Sequence, residues 1–245
     1  MLDIAGIARH LMASEPYAWA EIERTFAPRD AAALAASFPI DHFKDVAGYD
    51  GEKSYAYRAR SLIPMGAEVA SHPGGLSPEW RRLVEDLLSP AYRQAMMRLT
   101  GLDLSAALLE ANVTEYGADA WLGPHVDLRE KLVTHVLYFN QEWNRDDGGS
   151  LCILRSSDPM DVAHEIVPMA GKSAVLVRCA RSWHMVASSR GARRRAVNVI
   201  FHQPGSISTM WPPEQTRRES AGQPAHTANW GARLAAMKRK LAKLL

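Results

Sequence analysis

The chain has 245 residues, 47% of them hydrophobic and 23% charged, with a formal net charge of +2 at pH 7. This composition excludes a disordered or membrane-embedded polypeptide, and the near balance of charge gives no argument for nucleic acid or an acidic surface as the main partner. Asp3 and Arg9 interrupt the first apolar run, so no secretion signal is expected. No stretch reaches the roughly 18 apolar residues of a membrane span. Cys152 and Cys179 lack metal or redox spacing and read as buried thiols; the expected compartment is a reduced, cytoplasmic one.

The first hundred residues read as mostly helical. Ile4, Ile7, Ala8 and Leu11 follow helical spacing. Pro28-Arg29-Asp30 opens the alanine-rich run from Ala31 to Phe38, which stops at Pro39. The alternating SYAYRARSLI, residues 54–63, predicts a strand. Ser77-Pro78 is a cap followed by a first-turn proline, predicting a helix around Trp80 to Leu88. Ser89-Pro90 repeats the device for a helix ending near Gly101.

After residue 105 the pattern turns to β. LLEANVTEY, KLVTHVLYFN, SLCIL, EIVP, SAVLVR and RRAVNVIFHQ follow one another, separated by turn residues at Gly117, Asp146 to Gly149, Ser156 to Pro159, and Ala170-Gly171. Many short strands at regular spacing predict a sandwich or barrel of jelly-roll type. Several runs are apolar on both faces, as expected of strands packed between a second sheet and covering helices. Residues 212–228, rich in Pro, Gln, Ser, Thr and Gly, read as a linker. Asn229 then caps a final helix with an apolar stripe of Trp230, Leu234, Met237, Leu241 and Leu244, read as a docking face for the domain or for the second copy of a homodimer. The expected fold class is α+β with a mainly β core. It divides into a mainly helical support region with one or more early strands (1–105), a β core (106–205), and a linker with an amphipathic helix (206–245).

His125-Val126-Asp127 places an imidazole and a carboxylate two residues apart, on the same side of an extended chain. A histidine from a later strand would complete a 2-His-1-carboxylate set, which leaves coordination positions open for non-haem iron chemistry. His184, in SWHMV between two predicted strands, is the third candidate ligand. Arg193-Arg194-Arg195 opens the last strand; alternation puts Arg194, Ala196, Asn198 and Ile200 on one face, with Arg193 and Arg195 turned to solvent or acidic neighbours. The fork of Arg194 suits a carboxylate. Thr134, Val136 and Tyr138 share a face of their strand, where a hydroxyl and a phenol can serve an anion in an apolar slot. Asn112, Thr114 and Tyr116 share another, and His135 points away from the proposed metal.

Residues 108–204 resemble the prolyl-4-hydroxylase-like branch of the Fe(II)/2-oxoglutarate oxygenases. The resemblance rests on Tyr116, Gly117, His125, Asp127, Thr134, Tyr138, Asn140, Trp143, Gly148-Gly149-Ser150-Leu151, Pro168, Gly171, His184 and Arg194, in that order. It implies a double-stranded β-helix with N-terminal helices packed on it. It also implies Fe(II) on His125, Asp127 and His184, and 2-oxoglutarate as cosubstrate with O2. The distal carboxylate of the cosubstrate would pair with Arg194, helped by Tyr138 and Thr134, with Val136 and Asn198 in the same slot and Tyr116 at the iron-side carboxylate. Asp127 stands where related halogenases have a small residue, and Ile200 where the alkylation-repair branch has a second arginine. Hydroxylation or another oxidation is therefore expected, and nucleobase demethylation is disfavoured. Some relatives carry Gln, Thr or Ser in place of Asn198.

The expected substrate wall comprises Tyr55, Tyr57, Arg58, Arg60 and Trp121, suited to an anionic small molecule. Three functions remain open at this point: a small-molecule hydroxylase, a protein hydroxylase acting on a side chain such as proline, and a metal-binding jelly roll without turnover.

Overall fold

The computed structural model describes residues 1–50, 53–118, 120–190 and 193–211. Met1–Ser206 form one compact unit. The linker and terminal helix expected over 212–245 lie outside the described residues.

Four helices form where their caps direct. Helix α1 (Ile4–Arg9) starts at Asp3, whose carboxylate accepts from Gly6 N, and α2 (Pro28–Ala36) opens on its proline. Helices α3 (Pro78–Leu88) and α4 (Pro90–Thr100) are capped by Ser77 and Ser89, and Gly101 ends α4 in the left-handed conformation. The region is less helical than its sequence suggests. Besides β3 (Lys53–Ile63) it carries two further strands, β1 (Trp19–Ile22) and β2 (Lys44–Asp50). Leu11 lies beyond α1, exposed.

The remaining strands are β4 (Leu108–Tyr116), β5 (Trp121–His125), β6 (Lys131–Tyr138), β7 (Leu151–Leu154), β8 (Val162–Ile166), β9 (Ser173–Val177), β10 (His184–Val186) and β11 (Arg194–His202). They run in the order β1-β9-β6-β11-β4-β3-β5-β10-β7-β8, with β2 added to β3, and every pairing is antiparallel. Long β3 pairs with both β4 and β5, joining two half-sheets into a nearly closed jelly-roll barrel.

Alternation explains why the strands are apolar on both faces. Val133 and Leu137 of β6 and Val197, Val199 and Phe201 of β11 face outward, into a core shared with Leu34, Trp80, Leu83, Tyr92 and Met96 of the helices. The intervening positions Val136, Tyr138 and Ala196 face inward and pack with Tyr17, Tyr116, Leu151, Ile153, Ala174 and Leu176. The barrel interior is thus a second core, and the polar residues set among it are the candidates for chemistry.

Candidate metal centre

His184 is not in a loop between strands. It is the first residue of a strand of its own, β10, and it is the direct cross-strand partner of His125 at the end of β5. Their rings lie 4.2 Å apart. Asp127 follows two residues after His125, and one ligand atom from each of the three lies within 4.8 Å of the others. All three side chains are buried.

Backbone carbonyls set the tautomers. His125 Nδ1 donates to Gly123 O and His184 Nδ1 donates to Ser182 O, each at 2.9 Å. A carbonyl only accepts, so each Nδ1 carries the proton and each Nε2 keeps the lone pair a metal needs. His125 Nε2 is 4.0 Å from Asp127 Oδ1. The carboxylate is oriented in turn: Oδ1 accepts from Lys131 Nζ at 2.6 Å and Oδ2 from Thr134 Oγ1 at 2.8 Å. Burial alone would push its pKa up, but the charge and the hydrogen bond of Lys131 hold it far below the usual carboxylate range. Two neutral imidazoles and an ionised carboxylate facing one point form a 2-His-1-carboxylate donor set suited to Fe(II).

Arg194 lies on the inner face, 2% exposed. Its Nε donates to Gly149 O at 2.8 Å, and the guanidinium carbon sits 5.0 Å from the ring centre of Tyr116 and 5.2 Å from that of Tyr138. Burial pushes the Tyr116 phenol up to about 12, against the pull of Arg194, so it is a neutral donor. Tyr138 is likewise raised by burial, and its buried hydroxyl has no hydrogen-bond partner within bonding geometry among the described residues. A buried cation beside an unpaired phenol is poorly satisfied without an anion. Gly149 has φ +68°, and a Cβ there would stand 2.7 Å from Trp143 Cζ2 and 3.5 Å from Arg194 Cδ, so glycine makes room for both side chains. These features fit a dicarboxylate cosubstrate.

The other expected residues divide. Thr134 is on the inner face, but its hydroxyl is engaged by Asp127. Val136 is buried inward, and Asn198 is half-buried as the cross-strand partner of both Val136 and Asn112. Tyr57 stacks on Tyr116 with ring centres 4.9 Å apart, and Tyr55 lies 6.1 Å from Tyr57. Trp121 opens β5, half-buried, opposite Ala56. Arg58 and Arg60 are not brought to this wall. They occupy the alternate face of β3, where Arg58 pairs with Glu115 at 3.3 Å over the ring of Phe43, and Arg60 pairs with Asp41 at 3.2 Å. Arg193 and Arg195 also reach Glu115. His135 faces outward, between the Tyr92 hydroxyl and Ser173 Oγ, each at 2.9 Å.

Two contributors escaped the sequence reading. Lys131 carried a weak signal, a lysine four residues beyond the metal carboxylate. Tyr17 carried none; its buried ring packs with the interior core and its hydroxyl donates to Trp183 O at 3.2 Å, beside His184.

Comparison with known proteins agrees with this geometry. Residues 111–202 match the family model described as the 2OG-Fe(II) oxygenase superfamily. A prolyl-4-hydroxylase from Pseudomonas putida is similar in structure, with a TM-score of 0.55 and 19% identity over 82% of this chain and 96% of its own. AviO1 from Streptomyces viridochromogenes Tue57 has a TM-score of 0.52 and 13% identity, covering 85% of this chain and 98% of its own. The viral collagen prolyl hydroxylase vCPH from Paramecium Bursaria Chlorella virus-1, solved with 2OG, has a TM-score of 0.51 and 11% identity, covering 76% and 96%. At such identities the likeness concerns the fold. No curated protein sequence matches. No helix among the described residues is long and apolar enough to cross a membrane.

Proposed function

We propose that the chain is a member of the Fe(II)/2-oxoglutarate oxygenase superfamily and that it hydroxylates an unactivated C–H bond of a small molecule. The observation that carries the reading is the convergence of His125, Asp127 and His184 within 4.8 Å inside a barrel that also buries Arg194. His125, Asp127 and His184 would hold Fe(II), and Arg194 with Tyr138 would take the distal carboxylate of 2-oxoglutarate. Bound iron and cosubstrate supply the oxidation, consuming O2 and releasing succinate and CO2 as the substrate gains a hydroxyl.

The chain's own part is positioning and exclusion of water. Gly123 O and Ser182 O fix the imidazole tautomers, while Lys131 and Thr134 hold the carboxylate. Tyr17, Tyr57 and Tyr116 give the interior an aromatic wall; burial pushes all three phenols up, so they remain neutral. Since Arg58 and Arg60 are engaged elsewhere, this wall favours an uncharged or aromatic group beside the metal over an anionic one.

A peptidyl or prolyl hydroxylase is the second reading, favoured by the structural likeness to the two prolyl hydroxylases. Succinate release from 2-oxoglutarate with iron, ascorbate and candidate substrates tests oxygenase activity. A mass gain of one oxygen on metabolites or on proline-rich peptides separates the two readings. Iron binding with no succinate release across both panels would instead point to a sensor or scaffold. A cytoplasmic location and a homodimer formed through residues 229–245 remain part of the proposal, to be read by fractionation and by sedimentation of the full chain.

A further inference from the structure

The strand path has two ends, β1 and β8, and among the described residues no backbone pairing joins them. Side chains close this seam. His164 Nε2 of β8 lies 2.8 Å from Glu21 Oε2 of β1, and its ring lies 4.7 Å from that of Trp19. Lys172 donates to Glu21 at 3.1 Å and to Glu23 at 2.9 Å.

The register shows what the seam completes. Cross-strand partners share a sheet face. From the metal side, His125 pairs with His184, His184 with Ile153, and Ile153 with His164. From the cosubstrate side, Asn198 pairs with Val136, Val136 with Ala174, and Ala174 with Glu21. These two rows form one belt around the interior, and Glu21–His164 is where it meets. Glu21 is also close enough to raise the Tyr138 phenol. A carboxylate there would repel an incoming dianion unless it were neutralised, and the Lys172 ammonium faces it at 3.1 Å, with His164 holding its other oxygen.

We propose that Glu21 and His164 are positioning residues that close the barrel seam and so set the wall of the 2-oxoglutarate pocket. The inference rests on the oxygenase reading above. The test uses full-length Glu21→Ala, Glu21→Gln and His164→Ala, with two readouts. One is cosubstrate Kd on anaerobic Fe(II)-loaded protein, set against kcat. The other is amide hydrogen exchange on metal-free protein. His164→Ala should weaken 2-oxoglutarate about tenfold, as expected for losing one charge-assisted hydrogen bond, and Glu21→Ala, which loses those from both His164 and Lys172, by at least as much, with kcat at saturation within about twofold for each. Glu21→Gln, which keeps an acceptor for His164, should stay within about threefold of wild type. Exchange should quicken in Trp19–Ile22 and Val162–Ile166 and remain unchanged in β6 and β11. Faster exchange with an unchanged Kd would make the pair a structural staple and overturn the proposal, as would a glutamine variant as impaired as alanine. If the alanine variants fail to fold, Glu21→Gln and His164→Gln are read by the same two measurements. Wild-type protein that binds iron but not 2-oxoglutarate would sink the oxygenase reading itself, and the cosubstrate role of the pair with it.

Discussion

Replacing Arg194 should separate cosubstrate binding from metal binding. The guanidinium is buried, uses Nε on Gly149 O at 2.8 Å, and lies between the rings of Tyr116 and Tyr138. A forked pair of charge-assisted hydrogen bonds to a carboxylate is worth about 3 kcal/mol at the low end, or roughly a hundredfold in affinity. Arg194→Ala should therefore weaken 2-oxoglutarate by about that factor, while Fe(II) affinity, set by His125, Asp127 and His184, changes by less than about threefold. Arg194→Lys keeps the charge but loses the fork, and should fall between, at roughly tenfold. The alanine variant also leaves the buried Gly149 carbonyl unpaired, costing about 1–3 kcal/mol of stability, so affinities must be compared well below its melting temperature. Calorimetric titration of cosubstrate into anaerobic, iron-loaded protein gives the numbers. An Arg194→Ala Kd within threefold of wild type would refute the assignment. The neighbouring arginines could not rescue it, since Arg193 and Arg195 are both committed to Glu115 on the other face.

Further outcomes follow from the same geometry. His184→Ala removes one of three ligands and should abolish stoichiometric Fe(II) binding, measured by metal analysis after desalting, while the fold persists by circular dichroism. Gly149→Ala places a Cβ 2.7 Å from Trp143 Cζ2 at φ +68°; left-handed strain of about 1–2 kcal/mol should lower Tm by roughly 3–8 °C, and displacement of Trp143 against Arg194 should raise KM for 2-oxoglutarate. Burial lowers the His135 pKa from 6.5 to about 3. Its neutral form is thus favoured by folding, and its stabilisation is complete above pH 6.5 and lost progressively as pH falls towards 3. Urea unfolding at pH 6 and pH 5 should show about 1 kcal/mol more loss in wild type than in His135→Gln, and equal losses would contradict the assignment.

Much of the site was legible because β4, β6 and β11 are long enough for alternation to show, and because His125 and Asp127 are two residues apart. Strand β10 has three residues, too few for any period, so His184 looked like a loop residue. Strand β5 contains Gly123 and Pro124, which read as punctuation. The placement of Arg58 and Arg60 beside Tyr57 failed on parity: neighbours in a strand face opposite ways, so one wall could not hold them all. Which parity faces inward depends on β4, where Tyr116 takes Tyr57 and Glu115 takes Arg58. Nothing local in WAEI or VAHEI indicates that they meet, since that contact exists only once the strand path is complete.

The pairing of His184 with His125 also bears on how the centre comes into being. The two imidazoles are neighbours only through a ladder between short strands far apart in the chain, so the pocket cannot exist before these distant segments have found their register. A nascent chain that has not yet made β10 has two donors and no centre, and a slip of one residue in β10 would turn the third donor outward. Metal capture by all three side chains would then require the finished barrel.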